Sequence, residues 1–192
     1  MPGVRQVELS EESPFKGNMK MMKNIPTKSG GRKRQVERIM RVIDYFDSDK
    51  KEYWLNKIEH GDWGAAKFLY ELLSKGTFFD AVGTKSKVLL LTDGDELISF
   101  CTYAEKDDIQ PTDLTPWMGF VYTFPEHRGN HYAGLLMEEI ERLAIKEGVS
   151  EVYISTNNIG LYEKYGCEFK TEMKDMNGET SRVYVKKIRL ED

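Results

Sequence analysis

The sequence predicts an α/β fold in which helices cover both faces of one mixed β-sheet. Three observations lead to this fold class. Apolar, strand-like segments flank an Asp-Gly turn at 93–94 and an Asn-Gly turn at 177–178, and both turns are typical of hairpins. Between them, a strand-like segment from Trp117 to Thr123 leads through a glycine-containing loop into a segment with helical spacing. Hairpins combined with strand–helix alternation indicate a sheet with both antiparallel and parallel pairs.

The chain is predicted to comprise a poorly ordered arm at residues 1–30 and a single domain at residues 31–192. The arm mixes Pro, Gly, Ser and Lys without clear periodicity. A hydrophobic content of 40% and a charged content of 31% are typical of a soluble globular protein, and 192 residues suit one domain. No apolar run reaches the roughly 20 residues that cross a bilayer. Residues 1–17 lack the apolar core of a secretion signal, so we expect a cytoplasmic protein.

Three helices are predicted ahead of the first hairpin. The apolar spacing from Val36 to Ile43, which includes Met40, favours an amphipathic helix. Asp49 and Glu52 form a plausible capping pair for a second helix. Asp62 is positioned to cap a third.

The remaining elements follow in order along the chain. Strands are predicted at 88–92, 97–103, 117–123, 152–155, 167–173 and 181–188. A long helix after the glycine-containing loop carries apolar residues at helical spacing from Leu135 to Ala144. A short helix from Ile159 to Tyr165 is expected to end at Gly166.

Charge is distributed unevenly around a net value of −4. Residues 1–35 contain eight Lys/Arg and three Asp/Glu, whereas the rest of the chain contains 20 Lys/Arg and 29 Asp/Glu. The basic cluster Lys28, Arg32, Lys33 and Arg34 is compatible with nucleic acid or a membrane surface. No aromatic residues separate these charges as stacking platforms would, so we favour a solvated tail. We therefore predict no membrane partner, regard nucleic acid as an unfavoured partner, and leave a homodimer open.

No metal site is predicted. Cys101 and Cys167 each lie in an apolar, strand-like run without flanking histidines, so buried free thiols are the favoured interpretation. His127 and His131 flank Arg128, and their spacing and neighbours do not indicate a metal. Phosphate contact or surface exposure is favoured for both over a catalytic role.

The loop from Arg128 to Gly134 is predicted to bind an anion. Small residues allow backbone amides to approach a ligand closely, and the following helix contributes unpaired N–H groups and its positive dipole end. Arg128 adds a forked donor suited to phosphate oxygens, so a pyrophosphate fits this loop. A glycine-rich loop by itself is a weak signal, but the Walker and Rossmann glycine patterns are both missing from the sequence.

Two segments together resemble the GNAT acetyltransferase superfamily. Its cofactor loop, Arg/Gln-x-x-Gly-x-Gly/Ala, is similar to the segment from Arg128 to Ala133, with His131 at the usual central glycine. Its later Leu-Tyr-x-Lys-x-Gly-Phe-like sequence is similar to the segment from Leu161 to Phe169. The order of elements from about Val88 to Ile188 also resembles the GNAT fold, which is a mixed sheet flanked by helices.

The resemblance implies acetyl-CoA as the acetyl donor. In the family, strands separate after the fourth strand and its exposed backbone binds the pantetheine arm. By resemblance, the pantetheine-binding residues are Val121, Tyr122 and Thr123, and the pyrophosphate-binding amides are those of Arg128, Gly129, Asn130, His131, Tyr132, Ala133 and Gly134. Tyr162 matches the family tyrosine near the sulfur, where a phenol can protonate the thiolate. The alternative for Tyr162 is an aromatic side chain that fills a gap in the core.

Ser155 and Asn158 follow the strand at 152–155, where a family side chain often contacts the pantetheine or the sulfur. Helix capping is the competing explanation for this pair. No general base can be assigned, although acidic residues lie in the neighbouring loops. These are Glu105, Asp107, Asp108, Asp113 and Glu126. Trp117, Tyr122, Phe78 and Phe79 are suited to an acceptor pocket, but core packing is the favoured interpretation.

The leading hypothesis is an N-acetyltransferase that uses acetyl-CoA to modify a primary amine on a small molecule or peptide. The alternative is a non-catalytic acyl-CoA-binding or regulatory module with the same fold. The missing base and the histidine at position 131 leave that alternative open.

Overall fold

A computed structural model of the chain describes residues 40–190, which contain a seven-stranded mixed sheet and four α-helices. The strands are β1 Met40–Asp44, β2 Lys87–Asp93, β3 Glu96–Ala104, β4 Trp117–Thr123, β5 Glu151–Ser155, β6 Cys167–Lys174 and β7 Thr180–Lys187. The helices are α1 Lys51–Glu59, α2 Gly64–Ser74, α3 Phe78–Val82 and α4 Tyr132–Glu147, and 3-10 turns occur at Tyr45–Asp47, Pro125–His127 and Tyr162–Tyr165. The predicted arm and the basic cluster both lie outside the described residues.

The strand order is β1-β2-β3-β4-β5-β7-β6, and every neighbouring pair is antiparallel except β4 and β5. The parallel pair is in register at a single position, Trp117 opposite Tyr153. Beyond it, β4 continues along β3, whereas β5 continues along β7. The sheet therefore opens between β4 and β5 toward their C-terminal ends.

Helices cover both faces of the sheet, as predicted, and each face has its own core. Along β2, Val88 and Leu90 belong to a core shared with α1, α2 and α3, whereas Leu89 and Leu91 belong to a core shared with α4. Successive strand residues point to opposite faces, so a run of apolar residues is buried on both sides. Within residues 40–190, no helix combines the length and hydropathy needed to cross a bilayer.

The prediction of a helix from Val36 to Ile43 is wrong over the part that the structure describes. Residues from Met40 to Asp44 form β1, which pairs with β2 in antiparallel register. Met40 and Val42 contact the α4 core, whereas Ile43 contacts the opposite core. This period of two is strand-like, and four apolar positions are too few to separate it from a helical pattern. Residues 36–39 lie outside the described part.

Both predicted capping assignments are also wrong. The N-caps of α1 and α2 are Lys50 and Trp63, and neither helix has a side-chain cap. Asp62 instead accepts a hydrogen bond from Tyr122, far away in sequence. A capping pattern in the sequence reflects only hydrogen bonds between a side chain and nearby backbone groups. It therefore cannot predict a hydrogen-bond partner that is distant in sequence.

The short helix predicted from Ile159 to Tyr165 is a four-residue 3-10 turn at Tyr162–Tyr165 that ends at Gly166, where φ is 76°. Gly160, with φ of 79°, interrupts the segment before a full α-helical turn can form. Both hairpins are present where they were predicted. α3 has no counterpart in the predicted elements.

Candidate functional site

A cleft of about 1170 Å³ occupies the opening between β4 and β5. Its walls come from β4, the loop before α4, the C-terminal end of β5, the 3-10 turn at Tyr162–Tyr165, and α2 and α3. The predicted site residues that line it are Val121, Tyr122, Thr123, Arg128, Gly129, Asn130, His131, Tyr132, Ala133, Ser155, Asn158 and Tyr162. Gly134 is the exception, because it is buried beneath Tyr165, whose Cε1 would lie 2.7 Å from an added Cβ.

The loop before α4 exposes backbone N–H groups at one end of the cleft. Gly129 and His131 both have positive φ, at 79° and 61°. The Asn130 side chain donates to the carbonyl oxygen of His127 at 2.9 Å and holds the loop in shape. No side chain caps α4, so the N–H groups of Tyr132 and Ala133 remain available to a ligand, whereas the Gly134 N–H donates to the carbonyl oxygen of His131 at 3.0 Å. The left-handed conformation at His131 is one that glycine adopts freely and histidine tolerates, and the exposed imidazole leaves the amides accessible.

Arg128 is engaged by the protein itself. Its Nη2 donates to Asp62 Oδ1 at 3.0 Å, and its Nε donates to the carbonyl oxygen of Thr123 at 3.0 Å. The guanidinium carbon lies 5.6 Å from the centre of the Tyr122 ring. Tyr122 donates its hydroxyl to the same Asp62 oxygen at 2.6 Å. Tyr122 and Arg128 together lower the pKa of Asp62, with the tyrosine hydrogen bond as the largest cause. The cluster joins the loop before α2 to the loop before α4.

β4 is distorted where it borders the cleft. Its pairing with β3 shifts by one residue between Gly119 and Tyr122, and Phe120 has φ of 50°. A bulky residue in this conformation is strained, and such strain concentrates at functional sites. The Ser99 hydroxyl donates to the carbonyl oxygen of Tyr122 at 2.6 Å, which anchors the strand just beyond the bulge.

Tyr162 is almost fully buried at the wall of the cleft. Burial raises the pKa of its phenol well above the usual value, and the nearby Cys101, Cys167 and Asp107 raise it further. The phenol is therefore protonated at neutral pH and can serve only as a proton donor there. Both cysteines are buried free thiols, as predicted, and burial raises the pKa of Cys167 to about 11.

The five acidic residues that the sequence could not rank as candidate bases differ in their position relative to the cleft. Asp107 and Asp108 line the cleft, whereas Glu105, Asp113 and Glu126 do not. Burial, with the charge of Asp108 as the second cause, raises the pKa of Asp107 to about 7. Glu105 accepts from the backbone N–H of Lys85 at 3.0 Å instead. No residue spacing distinguishes Asp107, because its position depends on how the loop before β4 folds.

Ser155 and Asn158 do not cap a helix. The Ser155 hydroxyl lies 2.8 Å from that of Ser181, and the Asn158 backbone N–H donates to Thr156 Oγ1 at 3.1 Å. The N-cap of the nearby 3-10 turn is Leu161. The competing explanation for this pair is therefore wrong, and both residues line the cleft.

The aromatic wall of the cleft differs from the one considered in the sequence. Trp117 and Phe78 are buried in the core and, like Phe79, do not line the cleft, whereas Tyr122 does. The other aromatic residues of this wall are Trp63, Phe68 and Phe120. Trp63 stacks on Tyr122 at 6.4 Å between ring centres, and Phe68 lies 6.1 Å from Phe120. Sequence spacing could not find Trp63 and Phe68, because their partners lie on β4.

The two histidines of the loop differ in environment. His127 is buried with its Nε2 3.1 Å from Glu96 Oε1, whereas His131 is exposed. Surface exposure is therefore wrong for His127. Across residues 40–190, no group of three or more His, Cys, Asp or Glu side chains is arranged to hold a metal ion.

Comparison with known proteins identifies the family. The family model for the acetyltransferase (GNAT) family matches residues 44–167, more than half of the chain. The chain belongs to the GNAT acetyltransferase family. The predicted membership of the GNAT superfamily is thereby confirmed, and the match extends to α1, α2 and α3, which the two sequence motifs do not include. No curated protein matches the chain.

Solved structures share the GNAT fold at low sequence identity. A putative acetyltransferase of the family from Desulfovibrio desulfuricans has a TM-score of 0.57 and 14% identity, with coverage of 78% of this chain and 99% of that chain. An aminoglycoside 6'-N-acetyltransferase complexed with coenzyme A has a TM-score of 0.55 and 14% identity, with coverage of 80% and 99%. A GNAT acetyltransferase from Elizabethkingia anophelis with acetyl-CoA bound has a TM-score of 0.53 and 14% identity, with coverage of 78% and 98%. The fold class predicted from the sequence is confirmed.

Proposed function

We propose that the protein transfers the acetyl group of acetyl-CoA to a primary amine of a small-molecule or peptide acceptor, with Tyr162 as the general acid. The proposal also takes residues 31–192 as one acetyltransferase domain, residues 1–30 as an arm, and the cytoplasm as the setting. The observation that carries it is the cleft, which leads from the N-terminus of α4 past the unpaired end of β4 to Tyr162.

The residues present fit acetyl-CoA along the length of the cleft. Amides of the loop from Arg128 to Ala133 suit the pyrophosphate, because an uncapped helix N-terminus and positive-φ backbone together favour an anion. The edge of β4 beyond Trp117 has no β5 partner, so its backbone suits the amide groups of a pantetheine arm. Bound acetyl-CoA supplies the activated acetyl group as a thioester. Fold neighbours that carry coenzyme A or acetyl-CoA support this choice.

Tyr162 is proposed to donate a proton to the departing thiolate. Its raised pKa keeps the phenol protonated at neutral pH, and its position at the cleft wall allows contact with a ligand. The nearby thiols of Cys101 and Cys167 are buried and do not compete as nucleophiles at neutral pH, because burial raises the pKa of both.

The acceptor half of the cleft suits an amine. Carboxylates of Asp107 and Asp108 line the cleft, together with the aromatic wall of Trp63 and Phe68. Acidic groups attract a protonated amine, and aromatic faces accept both apolar and cationic groups. Fold neighbours include an aminoglycoside 6'-N-acetyltransferase and an enzyme that modifies the N-terminal serine of a ribosomal protein, so the fold alone does not select one acceptor.

Two measurements test the proposal. Calorimetric titration of the intact protein with acetyl-CoA and with CoA should show binding, whereas no binding would refute the proposed donor. Amines are then screened for thiol release, and Tyr162→Phe is compared with the wild type on the best acceptor. Loss of a general acid should lower kcat by about 10²-fold or more while the Kd for acetyl-CoA stays unchanged. An unchanged kcat would remove Tyr162 from the chemistry.

A further inference from the structure

Asp107 is held against the distorted part of β4. A Cβ added at Gly119 would lie 2.9 Å from Asp107 Oδ2 and 3.0 Å from Thr102 Oγ1. The missing side chain at Gly119 therefore creates the space that the carboxylate occupies. Asp107 Oδ1 accepts the backbone N–H of Asp108 at 2.9 Å, which fixes the other oxygen atom of the same group. The carboxylate is thus positioned at the cleft rather than free in solvent.

Within the described part of the chain, Asp107 forms no ion pair. The charged and titratable groups that face it are Asp108 on its own loop and Tyr162 at the start of the 3-10 turn before β6. Asp175, from the turn between β6 and β7, acts on Asp108 in turn. A half-buried carboxylate with no cation beside it is costly, and such an arrangement is retained at sites where the group has a role.

We infer that the Asp107 carboxylate is the general base that takes the proton from the attacking amine. The inference rests on the proposed function. The amine nitrogen forms a bond to the acetyl carbon, Asp107 accepts one proton from that nitrogen, and the bond from the acetyl carbon to sulfur breaks. The thiolate leaves with that electron pair and takes a proton from Tyr162. Asp107 ends protonated and Tyr162 ionised, and exchange with solvent restores both.

The environment of Asp107 suits a base that works near neutral pH. Burial, with the charge of Asp108 as the second cause, raises its pKa to about 7. A base is effective only when deprotonated, so kcat/KM should rise with pH through an apparent pKa near 7. Removing the charge of Asp108 lowers the pKa of Asp107 and should shift that rise toward lower pH.

The test compares pH profiles of kcat/KM for variants of one loop. Asp107→Asn should lose the rise near pH 7 and at least 10²-fold in kcat. Asp113→Asn is the matched control, because it removes the same charge from an exposed residue of that loop that lies outside the cleft, and its profile should match the wild type. Asp108→Asn should keep the rise at a lower pH. An unchanged profile in Asp107→Asn would overturn the inference.

A fourth variant moves the carboxylate without removing it. Gly119→Ala places a methyl group against Asp107, and the backbone at Gly119 does not need positive φ. Turnover should fall as the carboxylate is displaced. Acetyl-CoA binding by calorimetry and the melting temperature are measured for every variant, so that a folding defect or a blocked cleft is recognised. Normal turnover in Gly119→Ala would contradict the required position of Asp107. Failure of the intact protein to bind acetyl-CoA would instead refute the proposed function.

Discussion

Asp62 links three parts of the site through one oxygen atom. That oxygen accepts hydrogen bonds from Tyr122 and Arg128, and the backbone N–H of the same aspartate donates to the Tyr122 hydroxyl at 3.0 Å. Arg128 is about half exposed, so the ion pair alone contributes little to stability. Its main effect is on the direction of the guanidinium, which is held toward Asp62.

The two charges of this ion pair give a paired prediction. If Arg128 reaches the pyrophosphate, Arg128→Ala should weaken acetyl-CoA binding by about 10- to 100-fold, because one charge-assisted hydrogen bond is lost. Asp62→Asn should strengthen binding, since the amide oxygen still accepts from Tyr122 while the competing charge is removed. Calorimetry on both variants measures the effect. Equal affinities across the wild type and both variants would mean that backbone amides alone hold the phosphates.

At the scale of elements, the junction between the Arg128–Gly134 loop and α4 shows how a non-glycine residue can serve a glycine-like position. The loop requires left-handed backbone at position 131, and histidine adopts it with its side chain in solvent. The functional groups here are backbone N–H groups, which any residue with that φ presents. The residue type at position 131 is therefore less important for ligand binding than its backbone conformation.

This reasoning predicts the outcome of changing that position. His131→Gly should leave acetyl-CoA affinity unchanged and shift the free energy of unfolding by no more than about 1 kcal/mol, because relieved strain offsets greater freedom in the unfolded chain. His131→Val should lose stability, since a β-branched residue resists positive φ. Denaturant unfolding and calorimetry are the measurements. A large loss of affinity in His131→Gly would indicate that the imidazole itself contacts the ligand.

At the scale of the whole molecule, the acidity of Asp107 ties folding to pH. Its pKa is about 7 in the folded protein, against an ordinary value of 3.8 for an aspartate that is not buried. Because the folded-state value is higher, the folded protein is destabilised relative to the unfolded chain as pH rises from about 4 to about 7, and the loss then levels off. Asp107→Asn should therefore raise Tm at pH 8 and change it little at pH 4.

Thermal melts of Asp107→Asn and Asp113→Asn at both pH values measure this effect. The control removes a charge whose surroundings are exposed to solvent, so its Tm should follow the wild type at each pH. A Tm for Asp107→Asn that matches the control at pH 8 would show that the carboxylate is not destabilised by its surroundings. Such a result would also weaken the case for Asp107 as a base near neutral pH.

Local chemistry made much of this molecule predictable. Gly94 and Gly178 have the positive φ that their hairpins require, and the segment from Trp117 to Gly134 has the strand, loop and helix that its residues indicate. The predictions that failed concern residues whose roles depend on partners distant in sequence. Asp62 resembles a helix cap until Tyr122 is brought beside it, and Asp107 cannot be distinguished from Asp113 until their shared loop folds over β4.

The opening between β4 and β5 limits the pairing of these two strands to one position. Strands β1 to β4 form one ribbon and β5 to β7 form another, with Trp117 and Tyr153 as the paired position between them. Their rings lie 5.6 Å apart in a small core at the closed end of the split. Acetyl-CoA bound in this opening would contact both ribbons and restrict their movement relative to each other. Occupancy by substrate would thereby stiffen the scaffold that holds the proposed catalytic side chains.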